Sequence, residues 1–213
     1  GVVLTASGVS NTSPRLAVLP DNSVVVTWTE NYTTVLFQRI SSAGALLWGT
    51  GILIEDNDAD LLSPQPIVTA DGDVLIQWMR QTGPFWAANS ELYLQKYDYG
   101  GNPQWTNPIV AAGPVVFPTG NWQQQSVADA NGGSFSAWTD FSGSGSYQNA
   151  VVQHITDSGA LSWTDGVDIS TNSSVFRMSP RLAVSEDFQE LMAVWNQSNA
   201  GQSQRGVYAQ RLD

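Results

Sequence analysis

Four times along this chain a glutamine is followed by a basic residue, at Gln38-Arg39, Gln95-Lys96, Gln153-His154 and Gln210-Arg211, and the glutamines stand 57, 58 and 57 residues apart. Recurrence of this regularity marks a repeat architecture, in which one supersecondary unit stacks on copies of itself. Each glutamine is preceded by a run ending in tryptophan: Val24-Val25-Val26-Thr27-Trp28, Val74-Leu75-Ile76-Gln77-Trp78, Ser134-Phe135-Ser136-Ala137-Trp138 and Leu191-Met192-Ala193-Val194-Trp195. In the first three units a second tryptophan follows ten residues after the glutamine, at Trp48, Trp105 and Trp163. Four units occupy the 213 residues, so any fold must be built from four similar pieces.

Within a unit, short β-branched or aromatic runs alternate with turn residues, which predicts four consecutive strands, A to D. In the first unit they are expected near 14–19, 23–30, 34–41 and 47–55. The A–B turns carry Pro20-Asp21-Asn22, Ala70-Asp71-Gly72-Asp73, Asn131-Gly132-Gly133 and Glu186-Asp187; the C–D turns carry Ser42-Ala43-Gly44, Tyr99-Gly100-Gly101 and Asp157-Ser158-Gly159. Asn, Asp and Gly tolerate positive φ, so both turns read as tight antiparallel hairpins.

Repeated four-stranded meanders predict an all-β fold, a β-propeller of four-stranded antiparallel blades. Runs such as Val24-Val25-Val26 are apolar at successive positions, as blades covered on both faces require; a β-sandwich would alternate more strictly. One domain, 1–213, is expected, with blades near 13–58, 63–112, 122–171 and 179–213, the last completed by 1–7. Gly1-Val2-Val3-Leu4 matches Gly51-Ile52-Leu53-Ile54 at the start of strand D, and Gln210-Arg211-Leu212-Asp213 matches the end of strand C. The expectation is a four-bladed ring closed by the N-terminal strand pairing in the last blade. A fragment of a larger propeller, or two chains pairing into eight blades, would carry the same pattern.

The stretch Gln153-His154-Ile155-Thr156-Asp157-Ser158-Gly159-Ala160-Leu161-Ser162-Trp163 resembles propeller repeats of secreted bacterial proteins, with Asp, Gly and Trp spaced along a C–D turn. It is also similar to the Asp-box of sialidases and related propellers. It departs from that box in placing tryptophan four residues after the glycine instead of three, at Gly44/Trp48, Gly101/Trp105 and Gly159/Trp163. The resemblance spans the four repeats and implies propeller architecture. Propeller lectins share that architecture and a tryptophan-rich composition, which implies a lectin-like role.

Charge and composition narrow the partners. Eight Lys+Arg against nineteen Asp+Glu give a net charge of -11, and the basic residues are scattered, so neither phosphate backbones nor anionic membranes are expected partners. No apolar run approaches the roughly 18–20 residues of a membrane span. The absence of cysteine excludes thiolate nucleophiles and zinc-thiolate sites. A polar complement of Ser, Thr, Asn, Gln and Gly beside nine tryptophans and one lysine suggests an extracellular or cell-surface location.

His154, the only histidine, is repeat-equivalent to Arg39, Lys96 and Arg211 and is expected to serve a structural pairing, not a catalytic triad. At the ends of the B strands stand Glu30, Arg80, Asp140 and Gln197. Of these, Glu30 and Asp140 could supply the two carboxylates of a glycosidase, an acid and a base or nucleophile. The acidic run Glu55-Asp56-Asn57-Asp58-Ala59-Asp60 makes Asp56, Asp58 and Asp60 the candidate calcium ligands, though without the EF-hand pattern. No other cofactor is expected. Asn11, Asn31, Asn172 and Asn196 head glycosylation triplets.

Subtracting the repeat leaves Trp86, in the longest B–C loop, and Trp122, at the end of the loop entering the third unit. In a propeller the B–C and D–A loops emerge on one face, and the length variation falls there: the Trp-to-Gln spacing across B–C is 10, 17, 15 and 15. Variable loops on a rigid scaffold are where binding residues concentrate. Tyr32, Phe85 and Tyr147 share these loops, and Arg15, Gln65, Gln125 and Arg181 stand where the innermost strands begin. Aromatic plates beside amides and guanidinium groups suit sugar rings. The leading expectation is a non-catalytic, lectin-like module that binds glycan through Trp86, Trp122, Tyr147, Tyr32 and Phe85 with Arg15, Gln125 and Arg181. A protein-binding scaffold within a larger surface assembly is the alternative, and a glycoside hydrolase using Glu30 and Asp140 the third.

Overall fold

The computed structural model describes residues 1–5, 8–84, 88–115, 124–140, 148–172, 174–185 and 190–212. It is all-β. The first sheet is formed by β1 (Asn11–Val18), β2 (Val24–Glu30), β3 (Thr34–Ile40) and β4 (Ile52–Glu55), paired in that order. The second holds β5 (Asp60–Val68), β6 (Val74–Thr82), β7 (Asn89–Tyr97) and β8 (Ile109–Val115), and the third β9 (Gln125–Ala128), β10 (Ser134–Asp140), β11 (Asn149–Ile155) and β12 (Val167–Asp168). The fourth has three strands, β13 (Val175–Val184), β14 (Leu191–Asn199) and β15 (Arg205–Leu212). Every pairing is antiparallel between sequence neighbours, the expected meander.

Three apolar layers hold the four sheets face to face. Val25, Val35, Phe37 and Trp48 of the first meet Leu61, Val74, Ile76 and Trp78 of the second. Leu75, Leu92, Leu94 and Trp105 continue to Trp138, Val151 and Ile155 of the third, and Ala137, Ala150 and Val152 continue to Leu182, Leu191, Ala193 and Trp195 of the fourth. Blade stacking is why Val74, Leu75 and Ile76 are consecutive and all buried.

The recurrent glutamine is a clamp that replaces strand pairing. Gln38 Oε1 accepts from the amides of Arg39 and Trp48, and its Nε2 donates to the Gly49 carbonyl. Gln153 repeats the arrangement on His154 and Trp163, and Gln95 holds Lys96 and Trp105. Trp48 consequently lies before β4 instead of inside it, which shortens the expected D strand to four residues. The tryptophan so placed reaches the next blade: Trp48 Nε1 donates to the Tyr99 carbonyl and Trp105 Nε1 to that of Asp157.

Inner strands β1, β5, β9 and β13 follow one another across the stack, and no comparable contact joins β13 back to β1. The expected closure is corrected accordingly. Gly1–Leu4 forms no strand, and among the described residues β15 pairs with β14 alone, so the blades form an open arc.

Candidate functional site

The A–B and C–D turns gather at one end of the blades, where the basic residue after each glutamine lies. Arg39 reaches Asp21 at 2.8 Å, donates to the Tyr99 carbonyl and stacks on the Tyr99 ring. Lys96 bridges Asp71 at 2.7 Å and Asp157 at 2.5 Å, and donates to the Gly132 carbonyl. His154 meets Asp129 at 2.7 Å and Ser162 at 2.8 Å, and its ring stacks on Phe135. Arg39 and Lys96 thereby fasten their blades to the next one, whereas His154 pairs within its own blade.

The opposite end carries the B–C turns and blade entries. Three inner strands bend there at register shifts over Ser13-Pro14-Arg15, Ser63-Pro64-Gln65 and Ser179-Pro180-Arg181. Each serine has positive φ, 55°, 51° and 52°. Proline breaks the ladder and the bulge turns the next side chain toward the joint between blades. Gln65 pairs both of its amide atoms with the Ser126 backbone, and Gln125 accepts from the Leu182 amide. Arg181 is half-buried, its guanidinium donating to the Pro180 carbonyl while burial lowers its pKa. Arg15 is exposed and donates to the Pro14 carbonyl. Gln125 therefore joins two blades, whereas Arg15 projects at the arc's edge.

Tyr32 is exposed on the first B–C turn with φ of 63°, and its carbonyl accepts from the Leu61 amide. Phe85, Trp86, Trp122 and Tyr147 lie outside the described residues. Glu30 and Asp140 occupy the same register, each closing a B strand against its C-strand partner, Thr34 and Asn149.

The acidic run is organised around a cation the chain already supplies. Asp56 accepts from Arg80 Nε at 2.7 Å with one oxygen and caps the Asp58 amide with the other. Arg80 also reaches Glu91 at 3.5 Å, and Glu91 accepts from Tyr93 at 3.2 Å. Burial and the Glu91 charge raise the Tyr93 pKa, keeping the phenol protonated. Among the described residues no three His, Cys, Asp or Glu side chains gather as a metal set, and Asp56, Asp58 and Asp60 do not converge.

The described residues hold a pocket of about 590 Å³ on this face, between the third and fourth blades. Gln148, Asn196, Gln197, Gln202 and Arg205 supply its polar wall, with Met178 and Val207 as apolar elements and no carboxylate. Ser198 Oγ and Gln148 Oε1 are buried there without a hydrogen-bond partner among the described residues. Amides donate and accept at once, so this lining matches a neutral, hydroxyl-bearing ligand. Sequence reasoning missed the pocket; the signal available was the run Asn196-Gln197-Ser198-Asn199 followed by Gln202-Ser203-Gln204.

No protein-family model and no curated protein sequence matches the chain. Solved structures do. An α-L-arabinanase of Penicillium chrysogenum complexed with arabinobiose is 13% identical with a TM-score of 0.61, over 95% of this chain and 62% of its own. An α-L-arabinofuranosidase of Fusarium graminearum with arabinobiose is 14% identical with a TM-score of 0.60, over 94% and 62%. An N-acetylgalactosamine deacetylase from F. plautii in complex with blood group B trisaccharide is 11% identical with a TM-score of 0.57, over 98% and 69%. The chain thus spans 62% of the length of the arabinanase and of the arabinofuranosidase. At this identity the shared feature is the propeller-type fold. The expectation of a non-catalytic, lectin-like module is overturned: these three structures that share the fold are enzymes, and two are named as an arabinanase and an arabinofuranosidase.

Proposed function

We propose that the chain is the propeller of a glycoside hydrolase that acts outside the cell on neutral glycans, with the B–C and D–A loop face as its working surface. What carries this reading is a fold shared along 94–95% of the chain with an enzyme named an α-L-arabinanase and one named an α-L-arabinofuranosidase, both solved with arabinobiose. The amide-lined pocket on the same face supports it, since its amides offer hydroxyl partners beside Arg205 and no carboxylate lines it. Glu30 and Asp140 are the catalytic pair in this proposal, one protonating the leaving oxygen and the other serving as base or nucleophile. Trp86, Trp122 and Tyr147 supply stacking surfaces for sugar rings.

The test is release of reducing ends from arabinan, arabino-oligosaccharides and a panel of aryl glycosides by the purified chain. Turnover is expected, falling by about 100-fold or more in Glu30→Gln and in Asp140→Asn with the fold retained, as for loss of a general acid or base. Trp86→Ala and Trp122→Ala are expected to raise KM. Absence of release across the panel, or full activity in both carboxylate variants, would overturn the proposal.

A further inference from the structure

His154, expected from the repeat to serve a structural pairing alone, stands in a setting that Arg39 and Lys96 do not share. Three positions carry the difference, and the backbone shows that they correspond from blade to blade. Leu19, Thr69 and Asp129 each donate their amide across the A–B turn, to the carbonyls of Ser23, Asp73 and Gly133. Leu47, Gln104 and Ser162 each donate theirs to the carbonyl of the basic residue, Arg39, Lys96 or His154. The first blade thus holds Leu, Arg and Leu at these positions and the second Thr, Lys and Gln, whereas the third holds Asp129, His154 and Ser162.

Those three side chains form a hydrogen-bonded relay. Asp129 Oδ2 lies 2.7 Å from His154 Nε2, and His154 Nδ1 lies 2.8 Å from Ser162 Oγ. Each member is held in place. The Asp129 side chain is 6% exposed, and its Oδ1 accepts from the amides of Asn131 at 2.8 Å and Gly133 at 2.7 Å. A Cβ at position 133 would stand 2.8 Å from Asp129 Oδ2, so glycine there admits the carboxylate. The imidazole stacks on Phe135 with ring centroids 4.5 Å apart and planes 23° from parallel. An ionised carboxylate only accepts hydrogen bonds, so the neutral ring carries its proton on Nε2 and leaves Nδ1 to accept from the Ser162 hydroxyl. Ser162 itself is exposed.

The geometry points to a second reactive site, an acyl-transfer centre with Ser162 as nucleophile, His154 as general base and Asp129 as positioning residue. It lies at the end opposite the B–C face and is independent of the glycosidase reading. The substrate class is an unhindered ester, such as an acetyl ester, because Ser162 meets its substrate at the surface. Ser162 Oγ bonds to the acyl carbon while its proton passes to His154 Nδ1. The bond from that carbon to the leaving oxygen breaks, and the same proton goes to the departing alcohol. Water, deprotonated by His154, then cleaves the acyl-serine and releases the carboxylic acid. The oxyanion develops where water solvates it, so turnover is slow compared with an enclosed site.

A fluorophosphonate probe and p-nitrophenyl acetate test this on the 213-residue chain. The probe is expected on Ser162, located by peptide mass, and the ester is expected to give a burst of p-nitrophenol followed by steady release. Ser162→Ala should abolish label and burst. His154→Arg, which installs the residue the first blade carries, should slow acylation by about 100-fold. Because His154 is the only histidine, its ring nitrogens can be read directly by 15N NMR. Asp129→Asn should move the ring proton from Nε2 to Nδ1 and lower kcat with KM nearly unchanged. Absence of label from Ser162, ester release undiminished in both Ser162→Ala and His154→Arg, or a parent ring protonated on Nδ1 alone would overturn the inference.

Discussion

Lys96 is the only lysine in the chain, and it lies where two blades meet, between Asp71 of its own blade and Asp157 of the next. Burial alone would raise the Asp71 carboxyl, but hydrogen bonds from Lys96 and Thr69 outweigh it and hold the group below the usual carboxylate range. Burial would likewise lower the ammonium of Lys96; hydrogen bonds to Asp157 and Asp71 outweigh that and raise it. The Asp71 contribution is thus complete above the ordinary carboxylate range, near pH 4, and disappears as the pH falls through its lower folded value. The Lys96 contribution is complete below the ordinary lysine range and is lost as the pH rises through its raised folded value. Replacing Lys96 with Met leaves Asp71 and Asp157 facing one another without a cation, at an expected cost of about 3 kcal/mol. Urea unfolding should show that loss at pH 7, with a smaller difference between variant and parent below pH 3. Sequence reasoning found the position through the repeat; it could not identify the partners, because Asp157 comes from the following blade.

The element that most shapes each blade is the glutamine clamp at the end of strand C. Gln95 satisfies the Lys96 amide and the Trp105 carbonyl inside the blade, where water cannot. Its replacement by Leu keeps the volume but leaves those backbone groups without partners, which is expected to cost about 2–3 kcal/mol. The checkable signature is a lowered denaturant midpoint with unchanged slope and a red-shifted Trp105 emission. Strand order, hairpin turns and the B and C strands were legible, because β-branched runs and Asp-Gly or Asn-Gly turns act locally. Strand D was over-extended, since Trp48 looks like a strand residue and is held instead by a side chain ten positions back. The bulged serines of strand A were also missed: Ser63 and Ser179 hold positive φ where Gln124 donates to the Ser63 carbonyl and Thr139 accepts from the Ser179 amide, contacts with the neighbouring blade that local sequence does not show.

For the whole molecule, stability accumulates from the interfaces between blades, so it is highest where a blade has two neighbours. Hydrogen exchange should be slowest in β6 and β7, flanked on both faces, and fastest in β1 and β15, each at a free end. Equal protection across all four blades would contradict an open arc. The candidate site follows the same division. Glu30, Asp140 and the off-repeat aromatics could be picked out by sequence position, whereas the pocket draws Gln148 from one blade and Asn196, Gln197 and Gln202 from the next.

By itself the sequence determined the four units, their strands and the use of apolar residues on both faces, because these rest on period, local turn chemistry and side-chain type. Only the tertiary structure decided which cation meets which carboxylate, where amides converge into a pocket, and that Gly1–Leu4 forms no strand. Those features depend on the angle from blade to blade. A small rotation repeated at three interfaces sets whether the ends meet, and no residue in the chain specifies that sum locally.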